Sequence, residues 1–247
     1  MLDAMTSPYF PAPAVVFDLD ATLVDSEPTY YEAARRLLAD HGAPGFTWAE
    51  HLAFIGIGVH ETLAALRARY GIEAPVAELV AAQDVLYLEL ARTSTEVFPQ
   101  MRQFVELLHR RDVAMAVASG SSRAAIEAVL EGTGLDAYLT TYVSAEEVAH
   151  GKPEPDVFLE AARRLGAPPA GCVVLEDSAP GAAAAHAAGM RCIAIPYVAA
   201  TAGDPAFAAA GLLFPGGQGE FTAQAAYDWL FPRAGARPAP ARRDPSS

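Results

Sequence analysis

Apolar residues in this chain follow two kinds of pattern. The first is short, β-branched and unbroken. Ala14-Val15-Val16-Phe17 is preceded by prolines and closed by Asp18, which predicts a buried strand. Positions 26–95 then carry only helical spacing. Ser26 is placed to cap a helix reaching to about residue 40, with Gly42 as its stop. Thr47-Trp48-Ala49-Glu50 fits a capping box for a short second helix. A third helix is predicted over 59–70, ended by Gly71. A fourth is predicted over 75–92, with apolar residues at Val76, Leu79, Val80, Leu86, Tyr87 and Leu90. No strand signal interrupts this stretch.

From Pro99 the two patterns alternate. Helices are predicted over 101–109, 122–130 (stopped by Gly132 and Gly134), 153–165 with Pro in the first turn, 180–188 (stopped by Gly189) and 221–230. Strands are predicted over 113–118, 140–143, 172–175 and 192–195. Alternating strands and helices mean an α/β fold, a doubly wound, mostly parallel sheet covered on both faces. The expected division is a core made of 1–25 and 96–231 and a small all-helical unit, 26–95, inserted after the first strand. Beyond that, 232–247 forms a tail of Pro, Ala, Gly, Arg and Ser that reads as disordered.

Composition narrows the function. Of 247 residues, 52% are hydrophobic and 19% charged, enough for a sizeable core. The net charge of −13 leaves little material for a basic face, so no nucleic-acid partner is expected. Cys172 and Cys192 are too few for a disulfide scaffold or a four-cysteine metal site and read as buried free thiols. The first residues have neither the basic nor the apolar region of a signal peptide, and no apolar run is long enough to span a membrane. A cytoplasmic location follows by default. No interface signal stands out, which is compatible with a monomer. Of 17 basic residues 16 are Arg, and the single Lys is Lys152. Lys offers a compact charge where Arg offers a planar fork, so this position is marked for attention.

In open α/β sheets, ligands bind beyond the carboxyl ends of the strands. Here those ends carry Asp18 and Asp20 after the first strand and Ser119 with Gly120 after the second. Lys152 lies beyond the third, and Glu176 and Asp177 follow the fourth. One such acid is often only a helix cap; all four ends loaded together are not explained by capping. Clustered carboxylates cannot all stay ionised without a cation. Oxygen ligands without His or Cys suit Mg²⁺ rather than zinc. A Lys and a Ser hydroxyl beside such an ion can hold phosphate oxygens. The cluster reads as a phosphoryl-transfer site.

These residues resemble the four motifs of the haloacid dehalogenase superfamily. Phe17-Asp18-Leu19-Asp20-Ala21-Thr22-Leu23 is similar to its DxDGT nucleophile motif, and Ser119 to its second. Gly151-Lys152-Pro153-Glu154-Pro155-Asp156 is similar to the third, and Leu175-Glu176-Asp177-Ser178 with Gly181 to the fourth. Order and spacing match over roughly 14–230. The insert resembles the family's C1 helical cap on a Rossmann-like core, and the third and fourth motifs are worded most like those of the β-phosphoglucomutase-like subfamily. The resemblance implies a phosphatase acting on a small phosphorylated metabolite such as a sugar phosphate. Asp18 would be the nucleophile, forming an aspartyl-phosphate, and Asp20 the general acid and base. Mg²⁺ would be held by Asp18, the Asp20 carbonyl, Glu176 and Asp177. Ser119, the Gly120 amide, Thr22 and Lys152 would bind the phosphoryl oxygens, with Lys152 also pairing with Asp18.

Two departures stand out. Ala21 replaces the usual Gly, which costs roughly 1 kcal/mol or more if the position needs a positive φ. In Gly56-Ile57-Gly58-Val59-His60-Glu61, Val59 stands where related proteins often place a basic residue facing the substrate, and His60 follows it as a candidate ligand. A phosphosugar mutase, the rival reading, must hold a second phosphate against the cap and needs a cation there. Phosphonate cleavage would need a cap Lys, of which there is none, and dehalogenation would leave Asp20, Glu176 and Asp177 without a task. A non-catalytic binding protein on the same fold is the alternative from another class; it predicts loss of Asp18, Asp20 or Lys152, and all three are present.

Overall fold

A computed structural model of the chain describes residues 13–55 and 57–232. The elements in order are β1 (Ala14–Phe17), β2 (Val24–Asp25), α1 (Glu27–Asp40), α2 (Trp48–His51), α3 (Val59–Tyr70), α4 (Val76–Ser94), β3 (Glu96–Val97), α5 (Pro99–His109), β4 (Met115–Ser119), α6 (Arg123–Thr133), β5 (Tyr142–Ser144), α7 (Asp156–Leu165), β6 (Cys172–Glu176), α8 (Ala179–Ala187), β7 (Arg191–Ala194), β8 (Leu212–Leu213) and α9 (Ala223–Leu230). Six strands form one sheet in the order β5-β4-β1-β6-β7-β8, and every pairing in it is parallel. The α/β class and the parallel sheet agree with the sequence pattern.

β1 lies inside the sheet, and its four residues are all buried. Val15 and Phe17 pack into one cluster with Phe104 and Val105 of α5, Ile126 of α6 and Ala226 of α9. Ala14 and Val16 face the other way, toward Phe158 and Ala161 of α7 and Ala184 of α8. A strand buried on both faces has no polar alternation, which is why it reads as a continuous apolar run. Each fully buried large side chain contributes on the order of 1.5–3 kcal/mol. Both cysteines are free and buried in the second cluster, as expected.

The helices between β2 and β3 have an apolar cluster of their own, including Leu37 and Leu38 of α1, Leu63 and Leu66 of α3, and Leu79 of α4. The Thr47 capping box forms on α2, and Gly71 ends α3 in the left-handed conformation. α4 belongs to both regions: Leu79 sits in the helical cluster, while Tyr87, Leu90 and Ala91 join the main core.

Several expectations are corrected. Ser26 precedes α1 but makes no side-chain cap hydrogen bond. Gly132 does not stop α6; the helix runs on to Thr133, and Gly134 caps it. The reason for Gly132 is tertiary, because a Cβ there would lie 2.7 Å from the Arg92 carbonyl oxygen of α4. α7 starts at Asp156, after the prolines rather than at Pro153. β2, β3 and β8 were not anticipated, being two residues each and too short to show a period. β2 and β3 pair antiparallel, Val24 with Val97 and Asp25 with Glu96, where the chain enters and leaves the helical segment. The disorder expected of 232–247 falls almost wholly outside the described residues. Among the described residues no helix is long and apolar enough to cross a membrane.

Candidate active site

β1, β4 and β6 run parallel and side by side, so the residues following them meet at one edge. Asp18 leaves β1 with its amide bonded to the Leu175 carbonyl at 3.0 Å. The chain then folds back, with the Leu23 amide on the Leu19 carbonyl at 3.0 Å. This tight loop puts Ala21 at φ 61°, the left-handed region in which a Cβ is strained. Gln218 braces it, its side-chain amide donating to the Thr22 carbonyl at 2.9 Å.

The Lys152 ammonium sits between two carboxylates, 2.5 Å from Asp18 Oδ1 and 2.5 Å from Glu176 Oε1. The Phe158 ring lies beneath it, with its centroid 4.9 Å from Nζ. Glu176 is fully buried, and its second oxygen accepts from the Ser178 amide and hydroxyl, both at 2.9 Å. Gly181 closes over this group so tightly that a Cβ there would collide with the Glu176 carboxyl. Carboxylate oxygens of Asp18, Glu176 and Asp177 all lie within 4.8 Å of one another.

Three acids facing one ammonium leave an excess of negative charge in a buried place. Burial first, then the neighbouring Glu176 and Asp20, push Asp18 up to about 7 despite Lys152. Burial and the charges of Glu176 and Asp18 likewise hold Asp177 well above the usual carboxylate range. Burial works against the Lys152 ammonium, but its two carboxylate partners prevail and raise it. A donor set of hard oxygens with surplus negative charge fits a divalent cation such as Mg²⁺.

Asp20 is held from three sides. Ser121 Oγ donates to its Oδ2 at 2.6 Å and Ser119 Oγ to the same oxygen at 3.4 Å. Tyr87 Oη, from α4, donates to Oδ1 at 3.3 Å. Burial and the Asp20 charge push the Tyr87 phenol up, so it stays a donor. Tyr30 of α1 stacks on Tyr87 with ring centroids 4.2 Å apart and shares a 3.3 Å hydrogen bond with Ser121.

A cleft of about 620 Å³ opens above these groups and is lined by Asp18, Asp20, Ser119, Gly120, Lys152 and Asp177, among others. Of the residues expected from the sequence, Thr22, Glu176 and the candidate His60 are not among those lining it. Thr22 is fully buried, and its hydroxyl donates to Asp177 Oδ1 at 3.2 Å. Glu176 lies behind Lys152. On the helical side, Val59 lines the cleft; His60 is exposed and does not. The structure adds Glu27, Tyr30, His51, Gln83 and Ser121 to the lining. The one available signal was at Gln83 and Tyr87, polar groups on the otherwise apolar face of an amphipathic helix.

The sequence model of the haloacid dehalogenase-like hydrolases matches residues 12–189, and the chain belongs to that family. Its curated relatives include a phosphoglycolate phosphatase of Cupriavidus necator, 34% identical over 208 residues, covering 82% of this chain and 88% of that one. A fructose-1-phosphate phosphatase of Escherichia coli is 37% identical over 188 residues, covering 72% of this chain and 94% of that one. Among solved structures, CbbY from Rhodobacter sphaeroides in complex with phosphate superposes with a TM-score of 0.69 at 27% identity, over 83% of this chain and 94% of that one. The protein is a phosphoric monoester hydrolase of this family.

Proposed function

We propose that the chain is a Mg²⁺-dependent phosphatase of small phosphorylated metabolites, working through an aspartyl-phosphate on Asp18. The observation that carries the reading is the Lys152 ammonium wedged between Asp18 and Glu176, with Asp177 completing the acidic group. The ion would be held by Asp18, the Asp20 backbone carbonyl and Asp177, while Glu176, whose oxygens are taken by Lys152 and Ser178, would hold Lys152 in place beside it. When bound it supplies the positive charge that lets an anionic nucleophile meet an anionic phosphate and draws the Asp18 proton off.

In the first step an Asp18 carboxylate oxygen forms a bond to phosphorus and the bond to the leaving oxygen breaks. Asp20 gives that oxygen its proton. In the second step water attacks phosphorus, the Asp18–phosphorus bond breaks, and Asp20 takes the water's proton, so inorganic phosphate leaves and both acids return to their starting state. Lys152, Ser119 and the Gly120 amide stabilise the charge on the transferring oxygens. Thr22 acts by orienting Asp177, and the triple grip on Asp20 aims its carboxyl at the leaving group. Segment 26–95 serves as a cap over the cleft, hinged at the β2–β3 pair, and its closure excludes water. The mutase reading is weaker because Lys152 is the only Lys or Arg among the described residues lining the cleft, and the imidazole on the cap side, His51, is already paired with Glu27 at 2.9 Å, which leaves no Lys or Arg among them to hold a second phosphate there. Buried, free thiols and the absence of a membrane-spanning helix among the described residues support a cytoplasmic enzyme.

Phosphate release from a panel of monophosphates with Mg²⁺, with EDTA, and from Asp18→Asn tests the proposal. Release is expected only from the native protein with metal. Full activity in excess EDTA, or in Asp18→Asn, refutes it.

A further inference from the structure

The two walls of the cleft differ in kind. The strand edge is charged. The helical wall is apolar at Phe54, Ile55, Ile57 and Val59, and its carboxylate is Glu27; Asp204, from the stretch after β7, adds a second acid to the lining. Within that wall one polar atom has no explanation in packing. Gln83 of α4 is 4% exposed, lines the cleft, and its Oε1 has no hydrogen-bond partner. A buried amide left unsatisfied is costly, and a Leu of similar size would pack there without that cost. The same helix face carries Leu79 one turn before it, fully buried in the helical cluster, and Tyr87 one turn after it.

The position of Tyr87 gives the orphan oxygen its meaning. Tyr87 donates to Asp20, the carboxyl that meets the leaving oxygen in the proposed mechanism. Residues four apart on a helix are neighbours, about 5–6 Å between Cβ atoms. Gln83 therefore stands one helical turn from the tyrosine that holds the acid, and it lines the same cleft as Asp20. An amide accepts from or donates to a hydroxyl, but it carries no charge with which to hold a carboxylate or a second phosphate.

We propose that Gln83 is a specificity-determining residue. It hydrogen-bonds a hydroxyl of the leaving group, so the enzyme selects monophosphates of neutral polyols and rejects substrates with a second anionic group. The inference rests on the phosphatase reading and narrows it. A site built to hydrogen-bond a substrate hydroxyl discriminates strongly against an analogue that lacks it, because the buried partner is then left unpaired.

The test compares polyol monophosphates of three to six carbons with alkyl monophosphates of the same lengths and with phosphoglycolate, by kcat/KM for phosphate release with Mg²⁺. The native enzyme is expected to prefer its best polyol phosphate at least tenfold, about 1.4 kcal/mol, over the matching alkyl phosphate and over phosphoglycolate. In Gln83→Met the ratio of polyol to alkyl phosphate is expected to fall about tenfold. Equal turnover of the polyol and alkyl phosphates by the native enzyme, a preference for phosphoglycolate, or an unchanged ratio in Gln83→Met each overturns the inference. The native-enzyme comparison stands even if the variant does not fold. Failure of the native enzyme to release phosphate from any substrate would instead sink the phosphatase reading itself.

Discussion

Replacing Lys152 by Arg keeps the charge and changes its shape, and the structure sets how much room that change has. Nζ lies 2.5 Å from Asp18 and 2.5 Å from Glu176, with the Phe158 ring below and Gly181 packed against the Glu176 carboxyl. A compact ammonium fits between the two carboxylates. A guanidinium is larger, planar and prefers a two-pronged grip on one carboxylate. If it grips Asp18, the nucleophile is pulled out of line with phosphorus, and a displacement of about 1 Å costs on the order of a hundredfold. If it grips Glu176, Asp18 and the transferring oxygens lose their cation, which as loss of one transition-state stabiliser is worth about 2–4 kcal/mol, or roughly 30- to 900-fold. Both routes lead to the same range. The assay is kcat and KM for phosphate release with saturating Mg²⁺, beside Arg123→Lys, an exposed arginine outside the cleft. Circular dichroism shows that each variant is folded. A Lys152→Arg enzyme within about threefold of the native one, under about 0.7 kcal/mol, would place Lys152 outside the chemistry and refute the argument.

Three further outcomes are expected. Tyr87→Phe removes one of three donors to Asp20 and should lower kcat by roughly three- to tenfold, in line with about 1 kcal/mol for a neutral hydrogen bond; an unchanged kcat and pH profile would show that the contact has no bearing on the acid. Ala21→Gly relieves a left-handed Ala, about 1–2 kcal/mol, which offsets the roughly 0.5–1 kcal/mol that added chain freedom costs. Thermal denaturation should find it neutral or slightly stabilised, whereas Ala128→Gly inside α6 loses about 1 kcal/mol; a larger loss at 21 than at 128 contradicts the strain. Protons compete with Mg²⁺ for Asp18 and Asp177, whose carboxyls burial and neighbouring acids hold high in the metal-free protein, Asp18 at about 7. Apparent Mg²⁺ affinity should therefore rise as pH increases from 6 to 8, read by calorimetry; a flat profile would show both acids already ionised.

The division between sequence and tertiary structure follows the range of the interactions. Asp18 and Ser119 were legible because each directly follows or ends a short apolar run, and Asp177 because it forms with Glu176 an acidic pair closing one; parallel pairing of β1, β4 and β6 brings such positions to one edge. Lys152 was marked by being the single Lys among the basic residues. The strain at Ala21 was foreshadowed by the resemblance, in which Gly stands at this position, and the φ of 61° meets the condition set there. The long helices α3 and α4 came through on local signals: α3 is ended by its own Gly71, and α4 carries its own apolar stripe.

What folding alone decided depends on partners far apart in the chain. Two-residue strands have no period, so β2, β3 and β8 exist only because their neighbours are present. Gly132 resembles a helix stop in sequence and is in fact the point where the α4 backbone comes close. Thr22 sits inside the nucleophile motif, yet its hydroxyl faces Asp177, 155 positions away. The wall opposite the phosphoryl site is the clearest case. Glu27, His51 and Gln83 lie on three helices and share no motif, and only the packing of those helices brings them to one cleft.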